Sequence, residues 1–181
     1  MIDFIIKQRG PIINYFGFYV VWLCCASTPS TGKLFLAPII TIIFLLLHLT
    51  IIADKRDKEF KLIIFGVLLG IIVDSSFAMI DIVEYHGDRI FQNMPKEIAP
   101  VWILCMWAGF ASQVNYAMKY LRGKYRLIAF YGLLAPLAYI GGEKIQAVTI
   151  AQGNINYVII SIVWSISFLL LFKVSEYLMD L

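Results

Sequence analysis

Asp74 and Asp81 are the residues best placed to do chemistry, because both fall inside a stretch, Lys61 to Val83, that otherwise reads as a membrane span. A carboxylate in hydrocarbon costs roughly 2.5–3.5 kcal/mol on insertion scales, so a chain that keeps one turns it toward a protein interior or toward water. The two lie seven residues apart. In a continuous helix that spacing sets them within about 20° of each other on one face. Two carboxylates on one face suit acid–base work on a linkage held between them, or the binding of a cationic or protonatable solute.

Other polar residues belong at the same level of the membrane. Glu143 and Lys144 directly follow Gly141-Gly142, and paired glycines let a backbone or a ligand come close. Lys144 is placed to pair with Asp74 or Asp81. In that case the acids lock two helices together, and such a pair serves specificity more than stability because desolvation offsets the attraction. Trp102 and Trp107 share this depth. The candidate ligand-binding set is therefore Asp74, Asp81, Trp102, Trp107, Glu143 and Lys144, with Glu84 at the adjoining surface. A second set, His48, Gln113 and Asn115, lies deeper toward the opposite side. Those three are expected to hydrogen-bond across helices, worth roughly 0.6–2 kcal/mol.

Much chemistry is excluded. His48 has no second histidine nearby, since His86 falls in a loop. Cys24, Cys25 and Cys105 show neither metal nor disulfide spacing and read as small buried hydrophobes. GxSxG, HExxH, CxxC, P-loop and dinucleotide fingerprints are all missing. No metal and no cofactor is expected. Any catalysis would run on carboxylates, with Ser75, Ser76 or Ser112 as hydroxyls.

The elements that must position these groups follow from composition. The 181 residues are 61% hydrophobic and only 15% charged, with mean hydropathy +0.82. Soluble domains carry about 25% charged residues. Continuous apolar runs of about 20 residues match roughly 30 Å of hydrocarbon and argue for helices rather than a barrel. The fold expected is an all-α membrane protein, one bundle of six transmembrane helices over about 11–29, 33–53, 61–83, 99–121, 127–148 and 156–178. Pro11 and Pro100 suit first helical turns, whereas Pro136 sits mid-span and is expected to kink its helix and free a carbonyl. Trp22, Trp102, Tyr116, Tyr120, Tyr125, Tyr157 and Tyr177 fall near span ends, where aromatic belts form. Trp107 and Trp164 lie deeper.

Lys7 and Arg9 ahead of an apolar run ending in Ala26-Ser27-Thr28-Pro29 have the outline of a signal peptide. The run is read instead as a retained first span, and bulky Trp22 and Leu23 before Cys24 rule out a lipoprotein cleavage site. Lys7, Arg9, Lys55, Arg56, Lys58, Lys61, Lys119, Arg122, Lys124, Arg126 and Lys173 fall on one side of this bundle. Only Lys33, Arg89, Lys96 and Lys144 fall on the other. The positive-inside rule then places both termini in the cytoplasm. A net charge of +3 with no long basic run is no argument for nucleic acid.

Two segments carry a family resemblance. One runs from Ala99 through Pro100, Trp102, Trp107, Phe110, Ala111 and Asn115. The other runs from Gly132 through Ala135, Pro136, Ala138, Tyr139 and Gly141. With the Gly-x-x-x-Asp-Ser element at Gly70, Asp74 and Ser75, the chain resembles a family of small bacterial inner-membrane proteins catalogued only as a domain of unknown function. It departs from the family at Ala135 and Ala138, where Gly and Ser are expected. The resemblance implies six spans and a bacterial inner membrane, and no reaction.

Three readings remain open from the sequence. One is an integral inner-membrane protein that binds or transports a lipid or small solute through an acidic pocket in the outer half of the bundle. Another is an intramembrane carboxylate-dependent lipid enzyme. The last is a structural or accessory membrane subunit. Membrane lipid is the expected partner in each.

Overall fold

Apolar runs set the long helices, and polar residues and a proline set the breaks between the shorter ones. The computed structural model describes residues 2–87, 90, 93 and 95–180, with side chains in the first helix from Arg9 onward. Arg89, counted above, lies outside the described residues. The helices are α1 (Ile2–Thr31), α2 (Leu36–Leu47), α3 (Arg56–Met79), α4 (Val101–Ala111), α5 (Tyr125–Leu133), α6 (Pro136–Lys144) and α7 (Asn154–Asp180). A π-helical turn, His48–Ile52, extends α2, and a 3₁₀ turn covers Lys119–Leu121. Strands β1 (Val83–Tyr85) and β2 (Val148–Ile150) pair antiparallel, with Glu84 opposite Thr149.

Three segments are long and apolar enough to cross a membrane: Arg9–Thr31, Arg56–Met79 and Asn154–Asp180. The stretches Leu36–Ile52 and Val101–Ala111 are shorter apolar helices. The helices of the fourth and fifth expected spans are interrupted, the fifth at the proline expected to kink it. The fourth expected span is helical only to Ala111, after which residues 112–118 turn. There Asn14 Nδ2 donates to the Ser112 carbonyl, and Gln113 Nε2 donates to the Asn14 carbonyl. Side-chain bonds of this kind compete with the helical ladder. The fifth span breaks at Leu134-Ala135, just before Pro136, which lacks the N–H that would continue it. The Leu133 carbonyl then receives the Ser161 hydroxyl at 3.0 Å. The fold is mostly helical, as expected, with a small ribbon added; two three-residue strands inside short loops leave little trace in a sequence.

The segments gather at two ends. At one, Lys55 Nζ donates to the Met179 carbonyl, Arg122 meets Asp180 at 2.9 Å, and Tyr125 donates to Glu176. The Asp54 amide donates to Tyr116 at the same end, and Gly10 abuts Ile52. This end collects most of the basic residues together with the end of α7. The other end carries the β ribbon, with Gly87 resting on Pro29.

Helix α5 packs on α7 at a very close crossing. Ser165 donates to the Ala129 carbonyl at 2.8 Å, and a Cβ added at Gly132 would stand 2.6 Å from the Ser165 backbone nitrogen. Close backbone approach at small residues is how helices associate without a hydrophobic drive between them. Gly132→Ala is expected to destabilise by about 1–3 kcal/mol, because backbone cannot swing aside. Gly141→Ala is the control, since nothing lies within 4 Å of the added carbon. Thermal unfolding in detergent compares the two, and equal melting temperatures would contradict this account of the crossing.

Candidate functional site

Gly66, Gly70 and Asp74 recur every four residues on α3 and form one stripe against α4. A Cβ at Gly66 would strike Ala111, and one at Gly70 would strike the Trp107 indole. Two missing side chains thus let α4 lie close, with the Trp107 ring against Gly70. From that seat Trp107 Nε1 donates to Asp74 Oδ2 at 2.5 Å. The Tyr85 hydroxyl from β1 and the Tyr139 hydroxyl from α6 both donate to Oδ1, at 2.5 and 2.8 Å. Trp164 Nε1 from α7 donates to the Tyr139 hydroxyl at 3.1 Å, and its indole stacks on Trp107 with centroids 4.5 Å apart. One carboxylate therefore ties α3 to α4, α6 and β1, and through Tyr139 to α7.

Asp74 is 1% exposed. An ionised carboxylate only accepts, and three strong donors leave it little unmet demand. Burial and the facing Asp74 carboxylate push the Tyr85 phenol well above its ordinary pKa, which keeps it a donor. No ion pair reaches Asp74 among the described residues.

Beside this latch lies a cavity of about 250 Å³. Its walls are Trp102, Ile103, Met106, Trp107 and Phe110 of α4, Phe18, Trp22 and Ala26 of α1, and Trp164 and Phe168 of α7. The 131–148 segment adds Tyr131, Leu134, Ala135, Ala138, Tyr139, Gly142, Ala147 and Val148. Asp74 forms part of the lining. All four tryptophans of the chain line this cavity. No Lys, Arg or His does among the described residues. Tyr131, Leu134 and Ala138 are exposed, and Phe18 and Trp22 are half-buried, so the cavity reaches the surface between α1 and α5–α6.

The structure divides the expected ligand-binding set. Asp74, Trp102 and Trp107 meet at the cavity. Asp81 does not share a helix face with Asp74, because α3 ends at Met79. Asp81 has φ 55°, and the Ile82 amide donates back to the Phe77 carbonyl at 2.9 Å. That is a left-handed helix cap, a conformation aspartate tolerates. Gln146 does the same after α6, with φ 59° and the Ala147 amide donating to the Gly142 carbonyl. These two residues turn the helices into the two strands of the ribbon. Lys144 is exposed and pairs with neither aspartate among the described residues. Glu143 accepts from the Ile150 amide at 2.8 Å and holds the end of β2. Glu84 is exposed.

The inner set is larger than the sequence suggested. His48 is fully buried, with Nε2 3.6 Å from Glu59 Oε2, and Asn115 Nδ2 donates to Glu59 Oε1 at 2.8 Å. Ser175 on α7 donates to Asn115 Oδ1. Asn14 Nδ2 faces both His48 Nδ1 and the Ser112 carbonyl. A carbonyl only accepts, which fixes the orientation of the Asn14 amide and makes Nδ1 the acceptor of the ring. The neutral ring then carries its hydrogen on Nε2, toward Glu59. Gln113 joins through the Asn14 carbonyl. Glu59 and Asn14 were missed. Glu59 sits in a charged run that reads as a solvated loop but forms the first turn of α3 at 1% exposure. The pattern Gly66-x-x-x-Gly70 was the available signal for the α3–α4 contact.

No curated protein and no solved structure matches the chain. Residues 11–170 match the family described as "Protein of unknown function (DUF2878)", a stretch that takes in Asp74 and every residue lining the cavity. The chain belongs to that family.

Proposed function

We propose that this is a bacterial inner-membrane protein of six passes with both termini in the cytoplasm, and that it binds or transports a membrane lipid whose acyl chain occupies the aromatic cavity. The observation that carries the reading is the cavity itself. It is lined by apolar and aromatic side chains, and it reaches the surface between helices that expose large hydrophobic residues such as Phe16, Leu23 and Leu137. The one charged group in the described lining is Asp74, whose oxygens already hold three donors. Six passes accord with the gathering of Lys55, Arg122 and the end of α7 at one end. Broken helices are tolerated at membrane depth where protein covers them.

In this reading Asp74 is a positioning residue. Its oxygens are taken by Tyr85, Trp107 and Tyr139, so it shapes the wall instead of receiving a solute. A lipid enzyme working with paired carboxylates loses its second member, since Asp81 caps a helix elsewhere. Native mass spectrometry of protein extracted in mild detergent tests the proposal. Wild type is expected to retain one lipid per chain, and Ala138→Phe, which fills the opening from an exposed position, should lose it. Lipid-free wild type, or equal retention by the variant, would reject the reading.

A further inference from the structure

One residue of the cavity wall holds a polar atom that is unbonded among the described residues. Trp102 is 5% exposed, lines the cavity, and its Nε1 has no hydrogen-bond partner among the described residues. Two other indoles of the wall are used, buried Trp107 on Asp74 and half-buried Trp164 on Tyr139. A buried N–H left unbonded carries a desolvation penalty, and native proteins rarely retain one without a reason. The Trp102 ring lines the cavity, and a small turn of it on binding would bring Nε1, closed off in the free protein, to a ligand's acceptor.

We infer that the cavity selects a neutral ligand that presents a carbonyl-type oxygen to Trp102 Nε1, and that this ligand is an ester-linked acyl lipid. This rests on the lipid reading above. Three observations favour it. The open hydrogen-bonding group is a donor, so the ligand must accept. No Lys, Arg or His among the described residues lines the cavity, so a carboxylate or phosphate would find no counter-charge from them. Three donors already hold the oxygens of Asp74, so a cationic head would compete with them for that carboxylate.

Depth agrees as well. Trp102 lies in the first turn of α4, beside the ribbon end, where its ring meets Tyr85 edge-on. Indole N–H groups at that level of a bilayer lie among headgroups and their linkages. From Trp102 the wall descends along α4 through Met106 to Phe110, about 12 Å at the helical rise. An acyl chain hung from an ester at Trp102 would run down that wall between the indoles and Phe168.

The four indoles make the test direct. The protein is reconstituted in nanodiscs of unbrominated diether phosphatidylcholine. One lipid in about ten is then replaced by a dibrominated phosphatidylcholine, either the diester or the matching diether, and tryptophan quenching is measured. Bromine quenches on close approach, and bulk lipid contributes equally in both arms. The expected result is a preference of about fivefold in relative affinity for the diester, the worth of one net hydrogen bond. Trp102→Phe keeps the ring, removes the donor, and should bring diester quenching down to the diether level. Equal quenching by diester and diether in wild type would overturn the inference while leaving the lipid reading intact. So would an ester preference that survives Trp102→Phe. If neither lipid quenches the buried indoles beyond its mole fraction, the lipid reading falls and this inference with it. The wild-type comparison decides between these outcomes even if the variant does not fold.

Discussion

Asp74→Leu is expected to destabilise the protein by about 3–5 kcal/mol, with a fall in Tm of roughly 10 °C or more. Three buried donors, from Tyr85, Trp107 and Tyr139, would lose their acceptor at once. Each unsatisfied donor costs about 1–3 kcal/mol, and partial relaxation keeps the total below the sum. Asp74→Asn keeps one acceptor oxygen and turns an N–H₂ toward a donor, so it should fall between Leu and wild type. Had Lys144 been the partner, Lys144→Met would have destabilised the protein and rescued Asp74→Asn. Lys144 is exposed instead, and its replacement should change stability by no more than about 0.5 kcal/mol, alone or in the double mutant. Thermal unfolding of the single and double variants distinguishes the two arrangements. Rescue by Lys144→Met would restore the ion-pair account.

Glu59→Leu carries the next largest effect, about 2–4 kcal/mol. It strands Asn115 Nδ2 and removes the only carboxylate facing His48 among the described residues. The loss should reach beyond α3. Asn115 connects through Ser175 to α7, and His48 connects through Asn14 to α1 and the turn at Ser112. Hydrogen exchange is the measurement that resolves it. Faster exchange in residues 112–121 as well as in the first turn of α3 is expected, whereas a change confined to α3 would show that the network does not couple these segments. Glu59→Gln, which keeps an acceptor for Asn115, should recover most of the loss.

What was legible in the chain follows from one-dimensional patterns. A run of apolar residues long enough to cross hydrocarbon needs only length and composition, so α1, α3 and α7 could be read directly. Pro136 had to interrupt its helix, because a missing N–H is a property of the residue. The importance of Asp74 was legible too, since a carboxylate amid hydrocarbon demands partners wherever it ends up. The presence of a family domain was readable from the residues around Pro100, Trp107 and Gly70.

Which partners Asp74 would take was decided only by the tertiary structure. A sequence suggests the opposite charge, and Lys144 is the nearest cation by depth. Left-handed caps at Asp81 and Gln146 instead turn α3 and α6 into the ribbon. They carry Tyr85 onto the carboxylate and leave Lys144 outside. Those caps undo the premise of an unbroken helix that made Asp74 and Asp81 neighbours. Glu59 reversed in the other sense, from solvated loop to buried network, because the π-helical turn and the 112–118 turn bring His48 and Asn115 onto the first turn of α3. Periodicity along the chain can report that a polar group needs satisfying. The identity of the group that satisfies it depends on distances between segments far apart in sequence, and those are fixed only when glycines such as Gly70 and Gly132 let particular helices meet.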